Sequence, residues 1–147
     1  LSFPQSDGNN VWLWRPGVQF PDPQDFMERY VDHNVRVISQ RIQIWANPTY
    51  LPESLQPRYD ELWTEARMDR LIAAAVKNAV AVEINAHFQI PSITFLKRAK
   101  AAGAKFSFGS NRHAQGIGEI DYCLQTAREC GLTSKDIYVP ARDIGKP

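Results

Sequence analysis

Asn47, Asn85, His87, Asn111, Arg112 and His113 share a kind of position in this sequence. Each stands at or just beyond the C-terminal end of an apolar run, and Glu83 lies one pleat inside such a run. In α/β proteins that end of the strands is where ligands bind and chemistry is done. A carboxylate within a strand needs hydrogen-bond donors, a cation or a raised pKa. Glu83 therefore reads as a general base, a metal ligand or a structural carboxylate held by its neighbours. Arg112 and Arg15 carry the donor fork that grips a carboxylate or phosphate. His113 and His87 offer imidazole nitrogens, whereas His33 falls within a helical pattern and reads as structural. The stretch "GSNRHAQGIGE" (109–119) holds three of these residues between a strand and a helix. Its glycines either turn backbone N–H groups toward an anion or form an ordinary loop entry. The three histidines lack tight spacing, so with two cysteines they make no metal motif by themselves. No phosphate-loop, dinucleotide-binding or nucleophile-elbow pattern occurs.

These residues need elements to position them, and the chain alternates between strand-like and helix-like segments. Residues 10–14, 41–46, 79–85, 105–109 and 136–140 read as strands. Asp22 with Pro23 predicts a helix start, and an apolar face of Phe26, Tyr30, Val31, Val35 and Ile38 carries that helix to about residue 40. Thr64 and Ser92 predict two further N-caps, and Gly103 and Gly131 two helix ends. A last helix is expected over residues 118–130. The three prolines of residues 47–63 point to a long loop without regular structure, with Tyr50 and Trp63 either forming a lid over the site or packing over the barrel end.

Strands joined by helical crossovers imply a parallel sheet. Two architectures compete: part of a TIM-like β/α barrel, or a five-stranded doubly wound parallel sheet. Side-chain alternation favours a barrel wall. Gln43, Trp45 and Asn47, then Ala81, Glu83 and Asn85, then Ser107, Gly109 and Asn111 read as one small or polar face. Ile42, Ile44 and Ala46, with Val82, Ile84, Phe106 and Phe108, read as the oily face beneath helices.

The 147 residues suit one α/β domain spanning 1–147. A formal net charge of +1 gives no electrostatic reason to expect nucleic acid or an anionic membrane as partner. No apolar run approaches the ~20 residues of a membrane-spanning helix, and the N-terminus lacks the basic and apolar regions of a signal peptide. Cys123 and Cys130 would lie about 10 Å apart along one helix, too far for a disulfide. Two unpaired thiols suggest a reducing, cytoplasmic setting. The chain opens on Leu rather than Met, so its start is processed or it belongs to something longer.

Residues 81–132, "AVEINAHFQIPSITFLKRAKAAGAKFSFGSNRHAQGIGEIDYCLQTARECGL", resemble the end of the PHP (polymerase and histidinol phosphatase) domain. In that family a strand closes in E-I-N, a helix follows, and the next strand runs into S-D-x-H. "IWANPTYLPE" (44–53) is similar to the strand ending in H-P that precedes a long loop there. The resemblance implies a distorted β/α barrel holding divalent metals and hydrolysing phosphoesters through a metal-bound water. His113 matches the histidine of D-x-H, but Asn111 stands where the metal-binding aspartate is expected and Asn47 where the H-P histidine is expected. Glu83 and Asn85 match E-I-N, and the opening H-x-H motif is missing. Neutral amides are poorer divalent-cation ligands than carboxylates, so a full cluster is not expected.

The expectation is thus a PHP-like barrel segment, the C-terminal half of the barrel. One function is a metal-dependent hydrolase of a small phosphorylated or carboxylated molecule. There Glu83 and Arg112 would be catalytic and His113 would hold one divalent ion (zinc, manganese or magnesium). Asn47, Asn85, His87 and Asn111 would contact substrate. The other is a metal-free, non-catalytic relative that binds a small polar ligand or a protein partner at the same strand ends. A half barrel leaves open edges, so a homo-oligomer or an N-terminal portion is expected to complete it.

Overall fold

A computed structural model describes residues 2–4, 10–111 and 118–140. Arg112 and His113 lie outside the described residues. The fold is mixed α/β around a small parallel sheet.

β1 (Ser2–Pro4) and β2 (Asn10–Trp12) pair antiparallel as a separate ribbon. Residues 10–14, expected to begin the main sheet, therefore do not join it. Phe3 from this ribbon packs edge-on to Phe26, Tyr30 and His33 of α1 (Pro23–Ile38). Asp22 caps α1 as expected, its carboxylate accepting the N–H groups of Gln24 and Asp25, with Pro23 opening the helix.

The parallel sheet has the order β3 (Ile44–Trp45), β4 (Ala81–Asn85), β5 (Phe106–Gly109). Residues 136–140 add only an isolated parallel bridge, Ile137 to Phe106. The described strands thus form neither a closed barrel nor the five-stranded sheet that the alternation suggested. Between β3 and β4 run a 3-10 helix (Glu53–Arg58), α2 (Tyr59–Leu62) and α3 (Glu65–Lys77). The prolines of residues 47–63 therefore coexist with helical turns. Pro52 precedes the first of these, its carbonyl accepting from Leu55 and Gln56, and Pro57 merely omits one short-range bond.

α3 and α4 (Ile93–Ala101) start at the hydroxyl caps Thr64 and Ser92. α5 (Asp121–Glu129) follows β5. Leu71 and Ile72 of α3 and Phe95 and Leu96 of α4 share one core with Trp45, Val82, Ile84 and Phe106. Arg67 of α3, itself buried, donates to Glu28 and Gln24 of α1 and to the Leu62 carbonyl, tying the two helices together.

The register corrects the alternation expected for β3. Ile44 lies beside Ala81 and Trp45 beside Val82. Trp45 thus belongs to the oily face, 4% exposed, and Ile44 to the face of Glu83, 41% exposed. The Trp45 indole N–H donates to Asn34 Oδ1 at 3.0 Å, so the ring is buried without an orphaned donor. A two-residue strand is too short for alternation to decide its own face.

Candidate functional site

The face opposite the main core carries Ala81, Glu83 and Asn85 from β4, and Ser107 and Gly109 from β5. Glu83 pairs in register with Ser107, and Asn85 with Gly109. The Glu83 carboxylate has room because position 109 is glycine. A Cβ there would lie 1.9 Å from Glu83 Oε1 and 2.7 Å from its carboxyl carbon.

Three of the expected site residues close on one another. Glu83 Oε2 accepts from the Asn47 backbone N–H at 2.7 Å and from Asn85 Nδ2 at 3.0 Å. Asn85 Nδ2 also donates to Asn47 Oδ1 at 2.9 Å, and Asn85 Oδ1 accepts from the Phe88 N–H at 3.0 Å. That last bond fixes which way the Asn85 amide faces. Turned over, its NH2 would oppose the Phe88 N–H. Asn85 is fully buried, and its donors and acceptor are spent inside the protein.

Two chain segments are anchored by this network. After β3, Asn47 and Thr49 adopt left-handed conformations, with φ of 50° and 61°. Asparagine tolerates that region, whereas for a β-branched threonine it is costly. Thr49 is held there by two contacts. Its carbonyl accepts the Trp63 indole N–H at 2.9 Å, and its hydroxyl meets Tyr59 Oη at 2.5 Å. After β4, the turn through Gln89, φ 55°, returns to Asn85 through a pair of bonds with Ile90 and Phe88.

Between these segments lies a cleft of about 510 Å³ whose walls include Tyr50, Tyr59, Asp60, His87, Phe88 and Ser92. Tyr50 meets Phe88 edge-on, with ring centroids 4.8 Å apart, and His87 meets Phe88 at the same separation. Burial raises the Tyr59 hydroxyl to about pKa 12 despite its bond to Thr49, and raises that of Tyr50 as well, helped by the Glu53 charge. Both phenols stay protonated donors at neutral pH. A smaller hollow of about 210 Å³ on the other side of His87 is bordered by Ser110, Glu119, Asp121 and Tyr122.

His87 thus reaches the cleft but not the carboxylate network. Asn111 lies two residues beyond β5 with φ 50°, and none of the hydrogen bonds of the network reaches it. Arg112 and His113, the expected anion contact and metal ligand, fall outside the described residues, as does Gly116 of the quoted loop. Trp63, considered as a cover over the site, is buried in the core instead. Alternation along strands did not find Tyr59, Asp60 or Phe88. For Tyr59 and Asp60 the signal was "TYLPESLQPRYD" (49–60), whose tyrosines flank a proline-rich return.

The described residues do not fit a divalent-metal cluster. Such a site needs oxygen and nitrogen acceptors pointing inward. Here the atom between Glu83 and Asn47 is a donor, Asn85 Nδ2. Among the described residues no three His, Cys, Asp or Glu side chains are grouped to hold an ion. What the arrangement does is immobilise two loops, and through them the aromatic walls of the cleft. No protein-family model, curated protein or solved structure matches the chain.

Proposed function

We propose that this chain is a PHP-like β/α segment that binds a small polar ligand at its strand ends without hydrolysing it. One observation carries the reading. Glu83, Asn47 and Asn85 satisfy one another, and so brace the two segments that form the cleft. Glu83 and Asn85 are then positioning residues, and the contact surface belongs to Tyr50, Tyr59, His87 and Phe88. A volume of about 510 Å³ falls in the range of small-molecule sites.

Native mass spectrometry before and after chelation tests this against the metal-dependent hydrolase. The binding reading expects a mass indifferent to chelator and no turnover of phosphomonoesters. A chelator-sensitive metal together with phosphoesterase activity would overturn it and return Glu83, Arg112 and His113 to the roles that the PHP resemblance implies. The same spectrum reports assembly. One edge of β3 is unpaired among the described residues, and a second copy covering it would give twice the monomer mass.

A further inference from the structure

We infer that the strand-end cleft takes a small organic cation, an amine or quaternary ammonium, an inference that rests on the binding reading above. Three observations converge on that charge. First, the walls are aromatic: Tyr50, Tyr59 and Phe88 meet at one cleft, with Tyr50 set edge-on against Phe88. The face of an aromatic ring is the negative end of its quadrupole and attracts a cation.

Second, the carboxylate of Asp60 lines the same cleft from the first turn of α2. Beyond His87, the neighbouring hollow adds Asp121. Among the described residues, no lysine or arginine lines either hollow. Third, the remaining polar groups on the walls, Gln56, Gln89 and Ser92, include oxygen acceptors that suit the N–H of a protonated amine or the polarised C–H groups beside a quaternary nitrogen. A phosphorylated or carboxylated ligand drew its support from Arg112, outside the described residues. The described walls favour the opposite charge.

The test is a titration of the isotopically labelled protein, followed by amide NMR at one fixed pH. Three probes of one size are compared: benzyltrimethylammonium, benzyl alcohol and benzoate. The ammonium should shift the amides of Tyr50, His87 and Phe88 and bind about tenfold tighter than benzoate. Asp60→Asn should weaken it about fivefold. Asp60 is exposed, so this variant should melt as the parent does. Phe88→Leu keeps an apolar wall and should weaken the ammonium more than the alcohol. If benzyl alcohol or benzoate binds these amides as tightly as the ammonium, the cation inference fails while the binding site stands. If none of the three probes moves these amides, the inference and the binding reading fail together.

Discussion

Gly109→Ala should act through Glu83, and the size of the effect follows from the geometry. The added methyl would sit 1.9 Å from Oε1, well inside contact distance, so one of the two groups must move. Glu83 is the more mobile, because a glutamate side chain can rotate where strand backbone cannot. Rotation costs it the Asn47 N–H bond of 2.7 Å and the Asn85 bond of 3.0 Å. A hydrogen bond to a charged group is worth about 1.5–3 kcal/mol. Asn85 Nδ2 keeps Asn47 Oδ1 as partner, and the displaced carboxylate regains water. The net loss should therefore be about 2–3 kcal/mol, or a fall in melting temperature of about 5–10 °C for a chain of this size. The informative assay is a double-mutant cycle by urea unfolding with Gly109→Ala, Glu83→Ala and both. With Glu83 shortened to alanine, the three atoms nearest the added methyl are gone, and its cost should drop to within about 0.5 kcal/mol of zero. Equal costs for Gly109→Ala in the two backgrounds would refute the reasoning and place the damage in the backbone of β5.

Two further outcomes are expected. The Ser107 hydroxyl is buried beside Glu83 and has no hydrogen-bond partner among the described residues. Ser107→Ala should leave stability unchanged or raise it by up to about 1 kcal/mol in the same unfolding assay, and a loss above that would mean the hydroxyl is partnered. Asp136 accepts from the Thr133 N–H and hydroxyl at 2.7 and 2.9 Å, which holds its carboxyl below the usual range. Because the folded pKa is the lower one, its contribution is present above the unfolded carboxylate pKa of about 4 and lost as pH falls through the folded value. Asp136→Asn should flatten that acid limb in unfolding midpoints measured against pH. An unchanged slope would rule this group out as its source.

The parts of the fold that sequence revealed are those decided by local chemistry. Asp22, Thr64 and Ser92 announce helix starts because a side-chain oxygen serves an N–H two or three residues on, and nothing distant is needed. Gly103 and Gly131 mark helix ends through their positive φ. Glu83 and Asn85 fell on one face for the same reason, since a period of two fixes it along β4, whereas Asn47 joins them through its own left-handed turn and backbone N–H. What sequence hid depends on partners far away. Trp45 looked like a member of the polar face until Asn34 of α1 supplied its acceptor. The cleft walls come from residues 50 and 59 meeting residues 87 and 88, an encounter governed by two left-handed residues after β3 and one after β4. Residues 10–14 had the composition of a core strand, yet residues 10–12 pair with residues 2–4 instead.

The unequal fates of the four tryptophans equip the molecule with an optical probe. Trp12 and Trp14 stand exposed on the ribbon and beyond it, and a soluble quencher such as iodide will reach them. Trp45 and Trp63 are sealed from it. The emission that survives quenching comes partly from Trp63, whose indole N–H ends on Thr49, whose hydroxyl in turn meets the Tyr59 hydroxyl on the cleft wall. A guest that displaces Tyr59 pulls on that chain of two bonds. Its arrival can therefore be followed as a change in light from the protein's interior, with no label attached.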